Sequence, residues 1–257
     1  MAVTQAVEGM IITQVRGFGE TMLAVHEMGE GRPVLLLHGL FSSAYVNWIK
    51  FGTAAAIAAR GFRVLMPDFR VHGDSAAPHD ASAYPPDVLA RDVEAIIAHY
   101  GLTDFDLGGF SLGARTCALL LAQGLRPRRA VLAGMGLEGL SGWGRRRDFF
   151  LSVIADRETI RHGDPRWLSL QFMKSMKVDP VAATLLLNSF GDVDVDALKA
   201  VHLPVLVVCG AEDRDNGSPE ALAALLPDAR LAEVPGTHMG SVTHRELGEA
   251  MAAFLAG

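Results

Sequence analysis

At 257 residues, 50% apolar and with a formal charge of −6, the chain has the length and composition for one substantial buried core and not for a disordered or low-complexity segment. The acidic balance gives no support for a nucleic-acid partner, no apolar run reaches the roughly 18 residues of a membrane-spanning helix, and Met1–Glu8 lacks the basic-then-apolar order of a leader. The two cysteines, Cys117 and Cys209, each sit in an apolar segment and read as buried free thiols, so a soluble cytoplasmic protein with no membrane partner is expected.

Thr21–His26 and Pro33–Leu37 read as strands, the second apolar on both faces as a strand inside a parallel sheet should be. Phe62–Met66 reads as the next strand. Leu89, Val93, Ile96, Ile97 and Tyr100 then recur at helical spacing, with Pro85 and Pro86 marking that helix's start. Asp104–Phe110, Arg129–Leu132, Val205–Cys209 and Arg230–Val234 complete the strands, and a last helix carries Leu247, Met251, Phe254 and Leu255 on one stripe. Strands alternating with helices predict an α/β fold: a mainly parallel sheet flanked by helices. The alternation fails between 137 and 201, where Phe149–Ile154 and Val181–Leu187 look helical and Gly163–Pro165 and Gly191–Asp192 break the pattern. This predicts a helical cap of residues 137–201 inserted into a core of 1–136 and 202–257.

Gly109-Phe110-Ser111-Leu112-Gly113 fits Gly-x-Ser-x-Gly and stands at a strand-to-helix junction, where a sharp turn lifts the central side chain clear of the sheet and small neighbours let strand and helix close together. A serine hydroxyl needs a base to become a nucleophile at neutral pH. His238, on the loop after the last strand, is the candidate. Glu212, Asp213 and Asp215, just past Val205–Cys209, are candidates for the acid that orients it, giving the chain order Ser, Asp, His. A tetrahedral intermediate also needs about two fixed N–H donors. Leu112, at the start of the helix, offers one, and the Leu35–Ser43 segment the other, at Leu40 or Phe41.

With His38-Gly39, the Asp68–Ser75 run "DFRVHGDS", the Ser111 elbow and the Asp213 and His238 loops in order over about 200 residues, the chain resembles a capped member of the α/β-hydrolase superfamily, related to small esterases, lactonases and C–C bond hydrolases. The resemblance implies the α/β-hydrolase fold. It also implies a Ser111–Asp213–His238 triad, with Asp213 at the family's Gly-x-x-Asp position and Asp215 as a rival, and an oxyanion hole of the Leu40 and Leu112 amides. Val71 replaces a usual glycine, a departure expected to leave the Gly73 turn unchanged. His38 is expected to brace the loop and His72 to bond backbone near it.

A serine in place of the carboxylate that epoxide hydrolases and haloalkane dehalogenases use at the elbow implies attack at a carbonyl. Ester or thioester hydrolysis of a small, largely apolar substrate through an acyl-enzyme leads. Lactone opening and C–C cleavage are neighbours, peroxide-dependent perhydrolysis is a side activity, and a slow-turnover small-molecule receptor is the non-catalytic alternative. No cofactor is implied. The remaining histidines lack ligand-like spacing, so no metal site is expected. Phe41, Trp143, Phe149, Trp167, Met173 and Met239 are candidates to line the pocket. Arg145–Arg147 reads as a solvated face that the sequence does not orient toward a substrate carboxylate. Homo-oligomerisation is left open.

Overall fold

Leucine- and valine-rich runs that cannot stay in water pair edge to edge into one sheet, and the order of pairing places every loop of the site at the same end. The computed structural model describes residues 10–257, so Met1–Glu8, read above for a leader, lies outside the described residues. The elements in chain order are β1 (Ile11–Arg16), β2 (Met22–Met28), β3 (Arg32–Leu37), α1 (Thr53–Ala58), β4 (Phe62–Pro67), α2 (Val88–His99), β5 (Asp106–Phe110), α3 (Leu112–Ala122) and β6 (Ala130–Ala133). They continue with α4 (Trp143–Ala155), α5 (Trp167–Ser175), α6 (Pro180–Asn188), β7 (Val205–Gly210), α7 (Pro219–Leu225), β8 (Ala229–Val234), α8 (His238–Ser241) and α9 (Arg245–Ala256).

The eight strands lie in the order β1-β2-β4-β3-β5-β6-β7-β8. The β1–β2 and β2–β4 pairs are antiparallel and the rest are parallel. Leu37 pairs with Gly109, Phe110 with Ala133 and Gly210 with Val234, so β3, β5, β6, β7 and β8 all end at one edge. That is the edge where open α/β sheets bind ligands.

Period-2 alternation divides the core into two layers. Val34 and Leu36 join Ile57 of α1 and Met251 and Leu255 of α9 on one face, while Leu35 and Leu37 join Val93 of α2 and Leu121 of α3 on the other. β5, β6 and β7 are buried along their whole length, as strands covered on both faces must be.

Between β6 and β7 the described chain forms three α-helices and no strand. Trp143, Val153, Leu170 and Leu186 of this segment belong to the same apolar cluster as Leu35 and Leu107 of the sheet. The helices therefore rest on the core through a continuous apolar layer.

Several element bounds differ from the reading of the sequence by one or two residues, β2 for one ending at Met28 and not at His26, and three differences have a clear cause or consequence. β1 was not anticipated, because as an edge strand it buries only Val15 and shows no apolar run. α2 starts at Val88, after Asp87 takes a left-handed φ of 55°, so the two prolines precede the helix and do not open it. β5 starts at Asp106, two residues later than expected.

Candidate active site

Ser111 joins the end of β5 to α3 in a left-handed conformation, φ 53° and ψ −112°, which a non-glycine residue holds only when its surroundings enforce it. The turn is clamped by its neighbours. Ser111 N–H donates to Ala133 O at 2.9 Å, and its own carbonyl accepts from Arg115 N at 2.9 Å. A β-carbon at Gly109 would collide with the Gly113 backbone, and one at Gly113 with the Leu37 carbonyl. Glycine at both positions is what lets α3 start this close to β5 and β3.

His238 opens α8, capped by the Thr237 side chain, and its ring stacks at a tilt on Phe110, centroids 5.1 Å apart. Its Nδ1–H donates to Asp213 Oδ2 at 2.8 Å, and its Nε2 accepts from the Ser111 hydroxyl at 3.0 Å. An ionised carboxylate only accepts, so it fixes this tautomer.

Asp213 is buried. Burial alone would raise its carboxyl, but the hydrogen bond and charge of His238, the Asp215 N–H and Arg214 together hold it below the ordinary carboxylate value. Asp215 is exposed, and its part in this arrangement is its backbone N–H, which donates to Asp213 Oδ1 at 3.1 Å. The carboxylate bonded to His238 is thus that of Asp213.

In the loop after β3, Gly39 N–H donates to Asn47 Oδ1 at 3.0 Å, Phe41 N–H to His72 Nε2 at 3.0 Å and Ser42 N–H to Gly39 O at 3.2 Å. Leu40 N–H has no partner among the described residues, nor has Leu112 N–H at the first position of α3. Of the two amides considered in this loop, Leu40 is therefore the free one and Phe41 is engaged.

Two neutral histidines hold the loop. His38 Nε2 accepts from Phe69 N–H at 2.9 Å, and His72 Nδ1 donates to Arg70 O at 2.9 Å. Burial, with the neighbouring His38, pushes His72 down to about 3, and burial likewise lowers His38. Gly73 keeps its turn at φ 54°, but Val71 is held at φ 76°, a β-branched residue where the family's glycine would be unstrained.

Among the described residues, two groups contain metal-ligand side chains close together: Asp213, Asp215 and His238, and His26, Asp68 and Asp74. The first is the hydrogen-bonded chain just described. In the second, Asp68 already accepts from Ala44 N–H at 2.7 Å, Asp74 N–H at 2.9 Å and His26 at 3.1 Å. Its oxygens face donors, as in a loop brace. Burial pushes the Cys209 thiol up to about 12 and raises Cys117 as well, so both are inert core groups.

A cavity of about 880 Å³ opens at Ser111 and His238. Leu40, Phe41, Leu112 and Met239 form part of its wall on the sheet side, and Trp143, Phe149, Phe150, Leu168 and Phe172 line it from α4 and α5. Trp167 and Met173 do not line it. Trp167 turns against His162, ring centroids 5.0 Å apart, and Met173 is packed into the core cluster. On α5 the residues that reach the cavity are instead Leu168, Ser169 and Phe172.

The sequence reading also passed over Arg115, which lines the cavity one helical turn beyond Ser111 and is only 3% exposed. The available signal was one charge inside the apolar run Leu112–Ala122. Burial pulls Arg115 down to about 10.

A strained serine elbow after β5, a carboxylate after β7 and a histidine after β8, at the carboxyl edge of a mixed, mainly parallel sheet, define an α/β-hydrolase architecture. The chain belongs to that family: the model described as "alpha/beta hydrolase fold" matches residues 32–174. A non-heme haloperoxidase of Rhodococcus erythropolis is 27% identical over 87% of this chain and 91% of its own. An epoxide hydrolase of Caballeronia sordidicola is 36% identical over 36% of this chain and 27% of its own. Among solved structures, the esterase RhEst1 from Rhodococcus sp. ECU1013 superposes with a TM-score of 0.76 at 25% identity, covering 96% of this chain and 98% of that one.

Proposed function

We propose that this chain is a serine hydrolase that cleaves a carboxylic ester, or the corresponding thioester, of a small and largely apolar substrate. The observation that carries the reading is the unbroken chain from Ser111 Oγ through His238 to Asp213, with contacts of 3.0 and 2.8 Å, beside two amides that have no partner among the described residues. In this reading Ser111 Oγ attacks the carbonyl carbon while His238 Nε2 takes its proton. The oxyanion is held by the Leu40 and Leu112 N–H groups, each such donor contributing about 10²–10³ in rate. His238 then protonates the departing alcohol or thiol, and the acyl group stays on Ser111. A water that gives its proton to His238 attacks the ester, and the acid leaves as Ser111 regains its hydrogen.

Asp213 holds the imidazole tautomer and stabilises its charged form. Residues 137–201 act as the cap of a core made by 1–136 and 202–257, and they set which acyl and alcohol groups enter. The similarity to a non-heme haloperoxidase along nearly the whole chain supports a second use of the same acyl-enzyme. If hydrogen peroxide replaces water in the second step, the product is a peracid.

p-Nitrophenyl esters, lactones and acyl-thioesters assayed in parallel, with a chelator arm, test the proposal. Ester or thioester turnover that survives chelation, accompanied by covalent labelling of Ser111 by a fluorophosphonate, is expected. Tight binding without turnover would point instead to a small-molecule receptor, and activity restored only by added zinc would overturn the mechanism.

A further inference from the structure

The cavity wall is more cationic than the molecule around it. The chain carries a formal charge of −6, yet the charged side chains facing the cavity are Lys50, Arg115, Arg145 and Arg146 against Glu138 and Asp215. Glu138 is already occupied by Ser218 N–H at 2.7 Å, and Arg146 by the Asp215 carbonyl at 2.7 Å.

Arg115 is the anomaly. Its Nη2 donates to Gly191 O, its Nε is sealed from solvent with no hydrogen-bond partner, and no carboxylate lies within ion-pair distance of it among the described residues. Arg70, the other deeply buried arginine, shows the contrast: its guanidinium meets Asp92 at 2.6 Å. Asp87 and Asp192 favour its charge only through space, without a contact; a buried cation with no contact partner is costly, and the N-terminal field of α3 adds to the cost. The guanidinium carbon is held 5.3 Å from the Trp143 ring centroid and 5.8 Å from that of Phe190, which fixes its place. Four residues apart, Ser111 and Arg115 lie on the same side of α3, and both line the cavity. The Arg115 Cα lies about 6 Å further along the helix axis.

We infer that the substrate carries a carboxylate a few carbons from the scissile carbonyl, and that Arg115 is the counter-ion that receives it, with Arg145 at the outer end of the same wall. The inference rests on the serine-hydrolase reading and deepens it: the substrate is an anionic ester or thioester whose remaining body is apolar. The cationic wall also draws anions into the cavity of an acidic protein. The carboxylate lies either on the acyl group, as in a half-ester of a dicarboxylic acid, or on the leaving group, as in an ester of an ω-hydroxy acid.

Two matched substrate pairs distinguish these sources. One pair is p-nitrophenyl hydrogen adipate against p-nitrophenyl hexanoate. The other is the butyrate ester of 6-hydroxyhexanoate against hexyl butyrate. In one pair, wild-type kcat/KM is expected to favour the anion by about 10- to 100-fold at low ionic strength, the range of a charged hydrogen bond. The preference is expected to fall to about parity in Arg115→Gln, to return in part in Arg115→Lys, and to drop about threefold in the more exposed Arg145→Gln.

A wild-type ratio near one in both pairs overturns the inference. So does a preference that persists in a folded Arg115→Gln. If melting curves show that Arg115→Gln does not fold, the wild-type ratio and Arg145→Gln decide. Loss of all turnover in Ser111→Ala with no anion preference in the wild type removes only the carboxylate site, whereas retained turnover in Ser111→Ala removes the hydrolase reading itself.

Discussion

Two walls face each other across the cavity, and they are built on different principles. The sheet-side wall places its groups through backbone: a serine at φ 53°, an amide left free because its neighbours are engaged, and a histidine held by a capped turn and a carboxylate. Few of its atoms can move without breaking strands that are buried along their length. The wall from α4 and α5 places its groups through side chains, and two of them, Phe149 and Leu168, remain 38% and 73% exposed. Under the proposed function, chemistry is held by the wall built on buried strands and selection by the wall with apolar surface to spare, the division that a scaffold with exchangeable recognition requires.

The sharpest way to break that contrast is to remove a reacting group. Ser111→Ala and His238→Ala are each expected to lower kcat by about 10⁴ or more, with a double variant no worse than either alone. Steady-state assays with the melting temperature checked alongside will show it. Additive losses would mean that the two side chains do not act as one unit.

Next in size is the acid. Asp213→Asn is expected to cost about 10³–10⁴ in kcat by leaving His238 in the wrong tautomer, while Asp215→Asn keeps its backbone donor and costs less than about fivefold. The opposite order in parallel assays would transfer the orienting role to Asp215.

The third prediction concerns the stiffness of the sheet-side wall. His72 is neutral in the fold down to about pH 3, whereas the unfolded chain binds that proton near pH 6.5. Between these values the unfolded state holds more protons, so stability falls as the pH is lowered, by about 1.4 kcal/mol per pH unit for this one group. His38, also lowered, adds in the same direction. Urea melts from pH 6.5 to 4 should show His72→Gln with a shallower slope than wild type. Parallel slopes would mean that the proton is bound elsewhere.

The smallest expected effect belongs to the opposite wall. Phe149→Ala combined with Leu168→Ala should raise KM for apolar esters about fivefold with kcat nearly unchanged, because the apolar area lost is partly exposed to begin with. A drop in kcat larger than the rise in KM would show that α4 and α5 help to position the reacting carbonyl.

The same contrast explains what was legible in the sequence. Ser111, Asp213 and His238 could be read because a tight elbow and two short loops at strand ends leave little choice of residue or spacing. The sequence favoured the Leu40 amide over that of Phe41, but the reason Phe41 is engaged, its bond to His72 31 residues away, is visible only in the fold. Trp167 and Met173 were misplaced because an amphipathic helix shows its apolar residues without saying which of two apolar surroundings they meet. Arg115 was missed for a related reason. A single cation in an apolar run signals a buried charge, but only the fold shows that no carboxylate among the described residues touches it and that it faces the cavity. β1 escaped because an edge strand with one buried side chain carries no periodic signal.

The elbow has a consequence for how this molecule can change. Its clamps are a hydrogen bond from the Ser111 N–H to Ala133 O, one from the Arg115 N–H to Ser111 O, and two glycines, and none of them uses the hydroxyl of residue 111. An unbranched L-residue set there meets the same backbone support, so the frame of the turn does not depend on the hydroxyl itself. Under the proposed function, serine, cysteine or aspartate at this position would present a hydroxyl, a thiol or a carboxylate from one frame. Esterases, haloperoxidases and epoxide hydrolases stand among the neighbours of this chain, and a frame of this kind gives lineages a short mutational path between such reactions.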